Sequence, residues 1–143
     1  MSRWCRIGLT VAFAGMAALP ARGIAAEAAV HTKPAQVDAI AGSSLKRVTL
    51  TAKAAQRLDV QTAEVRQDST GRSIVPYAAL LYDTVGATWV YVSPQPLTFM
   101  RHAVKIDAIR GDSVYLTEGP AVGTKVLTMG VPQVFGAEAG VGH

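Results

Sequence analysis

The residue types that most often carry out chemistry are sparse in this chain, and their spacing does not group them. Its histidines are His31, His102 and His143, and none has a partner at the spacing that metal sites favour. A metal site would need ligands that the fold brings to His102, such as Met100 or Glu118. We therefore expect His102 to be a solvated or interface residue on a strand.

Signatures of nucleophilic and acid–base catalysis are also absent from the sequence. No serine stands in a Gly-x-Ser-x-Gly motif, and the single cysteine, Cys5, precedes the apolar N-terminal stretch. Paired acid–base work would require the fold to bring together two carboxylates from turns or polar strand faces. We expect no enzymatic activity, no resident metal and no cofactor. The carboxylates considered are Asp83, Asp107, Asp112 and Glu118.

Two short motifs are predicted to be connections between strands rather than functional sites. The glycines Gly119 and Gly123 bracket a loop, but no helix follows whose N-terminus could bind a phosphate. The tripeptide Arg110-Gly111-Asp112 is known from adhesion ligands, yet its position between two alternating stretches indicates a tight turn.

The first 26 residues are typical of a secretory signal peptide. Arg3 and Arg6 precede an apolar stretch of 13 residues over 7–19, and small residues follow up to Ala26. We expect cleavage after Ala26, or alternatively after Ala28, and a periplasmic location. A spanning helix needs about 20 apolar residues, so an uncleaved membrane anchor is the alternative interpretation.

The net charge of +4 on the 143-residue chain owes most of its excess to this N-terminal segment. Removal of Arg3, Arg6 and Arg22 from the 14 basic residues leaves 11 against 10 acidic residues. Binding to nucleic acid requires a clustered excess of Lys and Arg. The mature domain is nearly neutral, so we expect no nucleic-acid partner, and contact with the membrane only indirectly.

Hydrophobic periodicity predicts an all-β fold, a small β-barrel or β-roll-like meander with one short helix near residues 52–58. Thr51 supplies an N-cap for that helix, and Pro94 and Pro96 should end the strand that contains Trp89. In that strand, two alternating sets of side chains should both be covered. The predicted segments are a flexible lead over 27–46, a β domain over 47–138 and a tail over 139–143, with fraying expected from Gly136. Within the domain we expect strands over 47–51 and 60–65, a turn at 68–71 and a meander over 72–129.

Taken in order, these segments resemble the membrane-proximal domain of periplasmic adaptor subunits, or membrane fusion proteins, of resistance–nodulation–division (RND) efflux pumps. The similarity covers about residues 47–138 and lies in the order and spacing of its motifs. The upstream motifs are VTLT at 48–51 and LDVQTAEV at 58–65. The downstream motifs are VPYAALLYD at 75–83, TWVYV at 88–92, PLTFMRH at 96–102, IRGD at 109–112, EGPAVGT at 118–124, VLTMG at 126–130 and FGAE at 135–138.

The resemblance implies a docking role. Full adaptors insert a β-barrel, a lipoyl-like domain and an α-helical hairpin where this chain has only residues 67–71, a link whose closure costs little entropy. It further implies an accessory role in efflux, with an inner-membrane RND-type pump or a full-length adaptor as partner. The exported substrate could be a metal ion by resemblance to one subfamily. The candidate partner contacts are Tyr77, Trp89, Phe99, Arg101 and His102.

Two alternatives to docking belong to other classes of protein. One is a stand-alone ligand-binding or metal-binding protein of the cell envelope. The other is a degenerate adaptor remnant that folds but is inactive. Tight stoichiometric binding of copper, zinc or silver would favour the first, and an isolated gene without a neighbouring pump would favour the second.

Overall fold

The computed structural model describes residues 32–141, so the predicted signal peptide, His31 and His143 lie outside the described residues. The α-helices are α1 (Ala52–Arg57) and α2 (Val131–Ala139), and a 3₁₀-helix spans Tyr77–Ala79. The strands are β1 (Ala35–Ala39), β2 (Lys46–Leu50), β3 (Gln61–Glu64), β4 (Arg66–Gln67), β5 (Ser73–Pro76), β6 (Leu81–Tyr82), β7 (Thr88–Gln95), β8 (Thr98–Ala103), β9 (Lys105–Arg110), β10 (Ser113–Glu118) and β11 (Lys125–Met129).

These strands form two antiparallel sheets. The larger sheet has seven strands in the order β1-β2-β8-β7-β11-β3, with β6 paired to β7, and the smaller has the order β4-β5-β10-β9. The predicted all-β fold with a short helix near residues 52–58 is confirmed, and Thr51 caps α1 by accepting a hydrogen bond from the Ala54 N–H.

Two hydrophobic clusters lie on the two faces of the larger sheet. The first lies between the sheets and contains Val90 and Val92 from β7 with Val114 and Leu116 from β10. The second lies on the other face of the larger sheet, where side chains such as Tyr91 pack against the two helices. Alternate residues of β7 therefore pack into different clusters, which confirms the prediction that both faces of this strand are covered.

The early part of the chain is built into the same sheet as the later meander. Val48 of β2 pairs with Phe99 of β8, and Ala63 of β3 pairs with Val126 of β11. Val65 then carries the chain from the larger sheet into the smaller one; its N–H donates to the Thr124 carbonyl over 2.8 Å. Val48 and Val65 are almost fully buried, so the early segment contributes to both hydrophobic clusters.

The predicted turn at residues 68–71 is confirmed, and the Asp68 side chain organises it. One carboxylate oxygen accepts hydrogen bonds from the Thr70 hydroxyl and from the backbone N–H groups of Thr70 and Arg72. The hydrogen bond from the Thr70 hydroxyl is the main cause of a lowered pKa for Asp68. Hydrogen bonds from Arg72 to the Asp68 carboxylate lower that pKa further. An Asx-type turn with these bonds holds β4 and β5 together as a hairpin.

The prediction of a flexible lead over 27–46 is wrong for the stretch that forms β1. Val37 of β1 pairs with Val48 of β2, and the Thr51 N–H donates to the Pro34 carbonyl over 3.0 Å. Four of the five β1 residues are exposed, so this edge strand carries little of the alternation that predicts a strand. Regular structure thus begins before Arg47, and β1 is held mainly by main-chain pairing with β2.

Prolines alter two strands in ways that the sequence pattern did not predict. β7 continues to Gln95, because a register shift between Val92 and Gln95 leaves Pro94 in an exposed bulge, where no ladder donor is required. The apolar stretch over 74–82 is not one strand: after Pro76 it turns through the 3₁₀-helix and re-enters the larger sheet as β6.

The helix α2 replaces the predicted frayed tail. Pro132 lies in its first turn, where its missing N–H is not needed, and Gly140 ends the helix in a left-handed conformation. Val131 and Val134 bury their side chains in the second cluster. In the part of the chain that the structure describes, neither α-helix has the length and hydrophobicity that crossing a bilayer requires.

Candidate docking surface

Trp89 belongs to β7 and is held by the turn that precedes the strand. Its indole N–H donates to one Asp83 carboxylate oxygen over 3.0 Å. The other Asp83 oxygen accepts from the backbone N–H groups of Val85 and Ala87, which fixes the turn. The indole N–H is the main cause of a lowered pKa for Asp83, and the two backbone N–H groups add to it. Trp89 is therefore a half-buried, rigidly oriented ring.

Arg101 lies over that ring. The two residues come from neighbouring strands, and the guanidinium carbon of Arg101 is 5.0 Å from the Trp89 ring centroid and 6.0 Å from that of Phe135 on α2. Its Nε donates to the Glu138 carboxylate over 2.9 Å. The Arg101 side chain is only 19 % exposed, so its charge is largely neutralised inside the protein.

Glu138 is the centre of this arrangement, and its side chain is 4 % exposed. Its second carboxylate oxygen accepts a hydrogen bond of 2.5 Å from the Tyr91 hydroxyl, and its backbone carbonyl accepts one of 3.0 Å from the Lys46 ammonium. Burial, followed by the bond to the Glu138 carboxylate, raises the pKa of Tyr91 well above its usual range. We call Asp83, Trp89, Tyr91, Arg101 and Glu138 the Trp–Arg–Glu cluster.

Sequence reasoning missed Glu138 as a functional residue, although a signal for it exists. Val131, Val134 and Glu138 follow one another at the i, i+3, i+7 spacing of a single helix face. The two valines are buried in the second cluster, so a carboxylate in the third position must also be buried. A buried carboxylate requires a cationic or hydrogen-bonding partner, which here is Arg101 together with Tyr91.

The structure brings together only two of the five predicted contact residues, Trp89 and Arg101. Tyr77 is 49 % exposed in the 3₁₀-helix, where its N–H donates to the Asp112 carbonyl at the predicted tight turn. His102 is exposed, with Nδ1 2.9 Å from the Ala103 carbonyl oxygen. Among the described residues, no hydrogen bond, ion pair or ring stacking joins Tyr77 or His102 to the Trp–Arg–Glu cluster.

Phe99, another of the predicted partner contacts, is buried in this fold. Its side chain is 1 % exposed and packs in the second cluster, opposite Val48 of β2. Phe99 and Arg101 alternate by two along β8 and so share one face of the sheet. The Phe99 ring therefore supports the sheet beneath the helices, and only its neighbour Arg101 reaches the edge of that face.

An open cleft of about 400 Å³ lies beyond the end of β7. Its lining includes Pro94, Leu97 and Lys125, and Leu97 and Val60 also line a neighbouring hollow of about 340 Å³. Leu97 has a φ of 62°, a left-handed conformation that strains a branched side chain. Packing of Leu97 against the second cluster and the bond from the Leu50 N–H to its carbonyl hold this conformation.

Within residues 32–141, no three side chains of His, Cys, Asp or Glu come together in an arrangement that could hold a metal ion. Comparison with protein-family models, with curated proteins and with solved structures gave no match.

Proposed function

We propose that this chain is a non-enzymatic accessory protein of an RND-type efflux system. It acts by docking onto the inner-membrane pump or onto a full-length adaptor subunit in the periplasm. Because only residues 67–71 stand where a full adaptor inserts its hairpin and lipoyl-like domain, we expect it to work beside such an adaptor.

The observation that carries this proposal is the union of the early and late segments in one sheet. In adaptors the two segments that residues 48–65 and 75–138 resemble are far apart in sequence but belong to one domain. Here β2 pairs with β8 and β3 pairs with β11, and only the turn at 68–71 with its flanking residues separates the two segments. This arrangement is what a shortened adaptor that keeps a working docking end would need.

Solvent reaches four of the five predicted contact residues, and we propose each as a partner contact, although only Trp89 and Arg101 lie together. Tyr77 and His102 are exposed, while Trp89 and Arg101 are half-buried and rigidly held. Tyrosine, tryptophan and arginine are the residue types that most often dominate the energy of a protein interface. Because Arg101 already pairs with Glu138, we assign it a role in orienting the Trp89 ring, and we expect Tyr77 and Trp89 to bury most of the apolar area.

A pull-down from envelope extract tests the proposal. The tagged chain is the bait, a tagged full-length adaptor is the positive control, and mass spectrometry identifies what is retained. We expect the chain to retain an RND pump or its adaptor. Retention of neither, under conditions in which the full-length adaptor retains its pump, contradicts the proposal.

Substitution then tests the surface. Tyr77→Ala should reduce recovery of the partner by about tenfold, the effect of losing a contact worth about 1.4 kcal/mol. Tyr82→Ala is the matched control, because Tyr82 is 50 % exposed against 49 % for Tyr77. Equal loss of binding in both variants would show that the effect is not specific to the proposed surface.

A further inference from the structure

A second surface lies on the outer face of the smaller sheet, the face turned away from the larger sheet. Tyr115 of β10 stands opposite Ile74 of β5 and Ala108 of β9. Its neighbours Val114 and Leu116 point into the first cluster and are at most 2 % exposed. Since side chains alternate along a strand, Tyr115 points outwards, where its ring is half-buried.

Two arginines flank the Tyr115 ring. The guanidinium carbon of Arg72 is 5.0 Å from the ring centroid, and that of Arg110 is 5.3 Å away. The two arginines differ in their partners: Arg72 forms ion pairs of 2.8 Å with Asp68 and 2.6 Å with Asp107. Arg110 forms no ion pair with any carboxylate in the described range, so its charge is available.

A third arginine shares this face. Arg66 of β4 pairs with Ile74, which is itself opposite Tyr115, so Arg66 lies two strands from Tyr115, roughly 10 Å at the usual strand spacing. It is exposed and has no ion pair among residues 32–141. We call Arg66, Arg72, Ile74, Arg110 and Tyr115 the arginine–tyrosine face.

We infer that the arginine–tyrosine face is a docking surface for an acidic segment of a protein partner. Two unpaired guanidinium groups on either side of an apolar and aromatic centre match carboxylates that flank apolar side chains. Stacking on Tyr115 holds the Arg110 guanidinium in place, which reduces the conformational entropy that binding must remove. This surface is separate from the one in the proposed function. Its partner is defined by acidic chemistry and need not be an efflux protein.

Charge on the same face favours a protein over a phosphate polymer or an anionic membrane. Asp68 and Asp107 pair with Arg72, so the face carries two carboxylates beside its three arginines. Nucleic acids and anionic lipids attract surfaces with a clustered, uniform positive charge. Arginine and tyrosine set among carboxylates are instead typical of protein interfaces.

Nuclear magnetic resonance titration of the ¹⁵N-labelled chain tests the inference, with a short soluble peptide of alternating glutamate and leucine as the probe. We expect shifts in the backbone amides of β4, β5, β9 and β10, and binding that weakens as salt is added. Separate titrations use anionic phospholipid vesicles and a single-stranded DNA oligonucleotide. Tighter binding of either at this face, shifts elsewhere, or no peptide binding would each overturn the inference.

Charge reversal provides the matched comparison. Arg66→Glu with Arg110→Glu should weaken peptide binding at least about tenfold, because like charges then face each other. Arg47→Glu with Lys53→Glu changes the net charge equally on exposed residues of β2 and α1 and should change binding less than about twofold. Equal weakening by both pairs would overturn the inference. If a variant fails to fold, the NMR titration of the wild-type chain with the peptide still decides the question.

Discussion

The Tyr91 hydroxyl and the Glu138 carboxylate, 47 residues apart in the chain, meet in the protein interior through a hydrogen bond of 2.5 Å. Arg101 binds the other carboxylate oxygen and stacks on Trp89. The C-terminal helix is therefore attached to the larger sheet by apolar packing and also by a buried ionic and hydrogen-bonded group. This attachment orients the Trp89 ring in the proposed contact surface.

Removal of the Glu138 charge should destabilise the protein. We predict that Glu138→Gln lowers the free energy of unfolding by roughly 1–3 kcal/mol, because Arg101 then loses its anionic partner and faces an amide. Urea unfolding followed by tryptophan fluorescence measures the change. Gln133→Ala, an exposed position on the same helix, is the control and should have an effect within about 0.5 kcal/mol.

Tyr91 should keep its proton at pH values where tyrosine in water has lost it. Its folded pKa is raised, so the stabilisation is complete below the ordinary value of 10.0 and is lost as the pH rises through the folded pKa. We predict that the absorbance difference between the wild type and Tyr91→Phe shows no phenolate step until the protein unfolds. A step near pH 10 in the folded protein would show that the hydroxyl is not buried against Glu138.

Acid should weaken the two turns that Asp68 and Asp83 organise. Both carboxyls have lowered folded pKa values, so their stabilisation is present above the ordinary value of 3.8 and is lost as the pH falls below it. We predict that Asp68→Asn and Asp83→Asn reduce the acid dependence of the urea midpoint. Asp112→Asn is the control, since the Asp112 carboxylate makes no hydrogen bond or ion pair in the described structure; an equal effect there would contradict this origin.

Much of the strand order follows from local pattern, and the misses share a physical cause. The turn at 68–71 and the helix α1 were predictable because their signals, an Asx turn and a threonine cap, are contained in a few residues. The strand β1 was missed because it is held by main-chain pairing with little side-chain burial. The helix α2 was missed because Pro132 and Gly136 discourage a helix unless packing against the sheet supports it.

The candidate site was predictable only in part for a related reason. The alternation of β7 predicts that Trp89 and Tyr91 share a face, and the structure confirms it. No local pattern reveals that Glu138 closes over that face, because the contact depends on how α2 returns to the sheet. Burial of Phe99 likewise follows from the pairing of β2 with β8, a tertiary fact that single-strand periodicity does not contain.

Gly130 should be sensitive to the smallest possible side chain. It precedes α2 with a φ of 92°, and an added Cβ would lie 3.2 Å from a methyl carbon of Val60. We predict that Gly130→Ala lowers the free energy of unfolding by about 2–4 kcal/mol, combining backbone strain with this contact. Gly86→Ala has a similar φ of 82° in open space and should cost only about 1–2 kcal/mol. Equal costs would show that the contact with Val60 has no effect.

The proposed function depends on residues 47–65 forming one domain with the later meander, and native-state hydrogen exchange tests this most directly. The Leu50 N–H donates to the Leu97 carbonyl and the Val65 N–H to the Thr124 carbonyl, each over 2.8 Å. We predict that these two amides exchange only when the whole domain unfolds, with the same opening free energy as the ladder amides of β7 and β10. Exchange at Leu50 and Val65 through a local opening, orders of magnitude faster than in β7 and β10, would contradict a single domain.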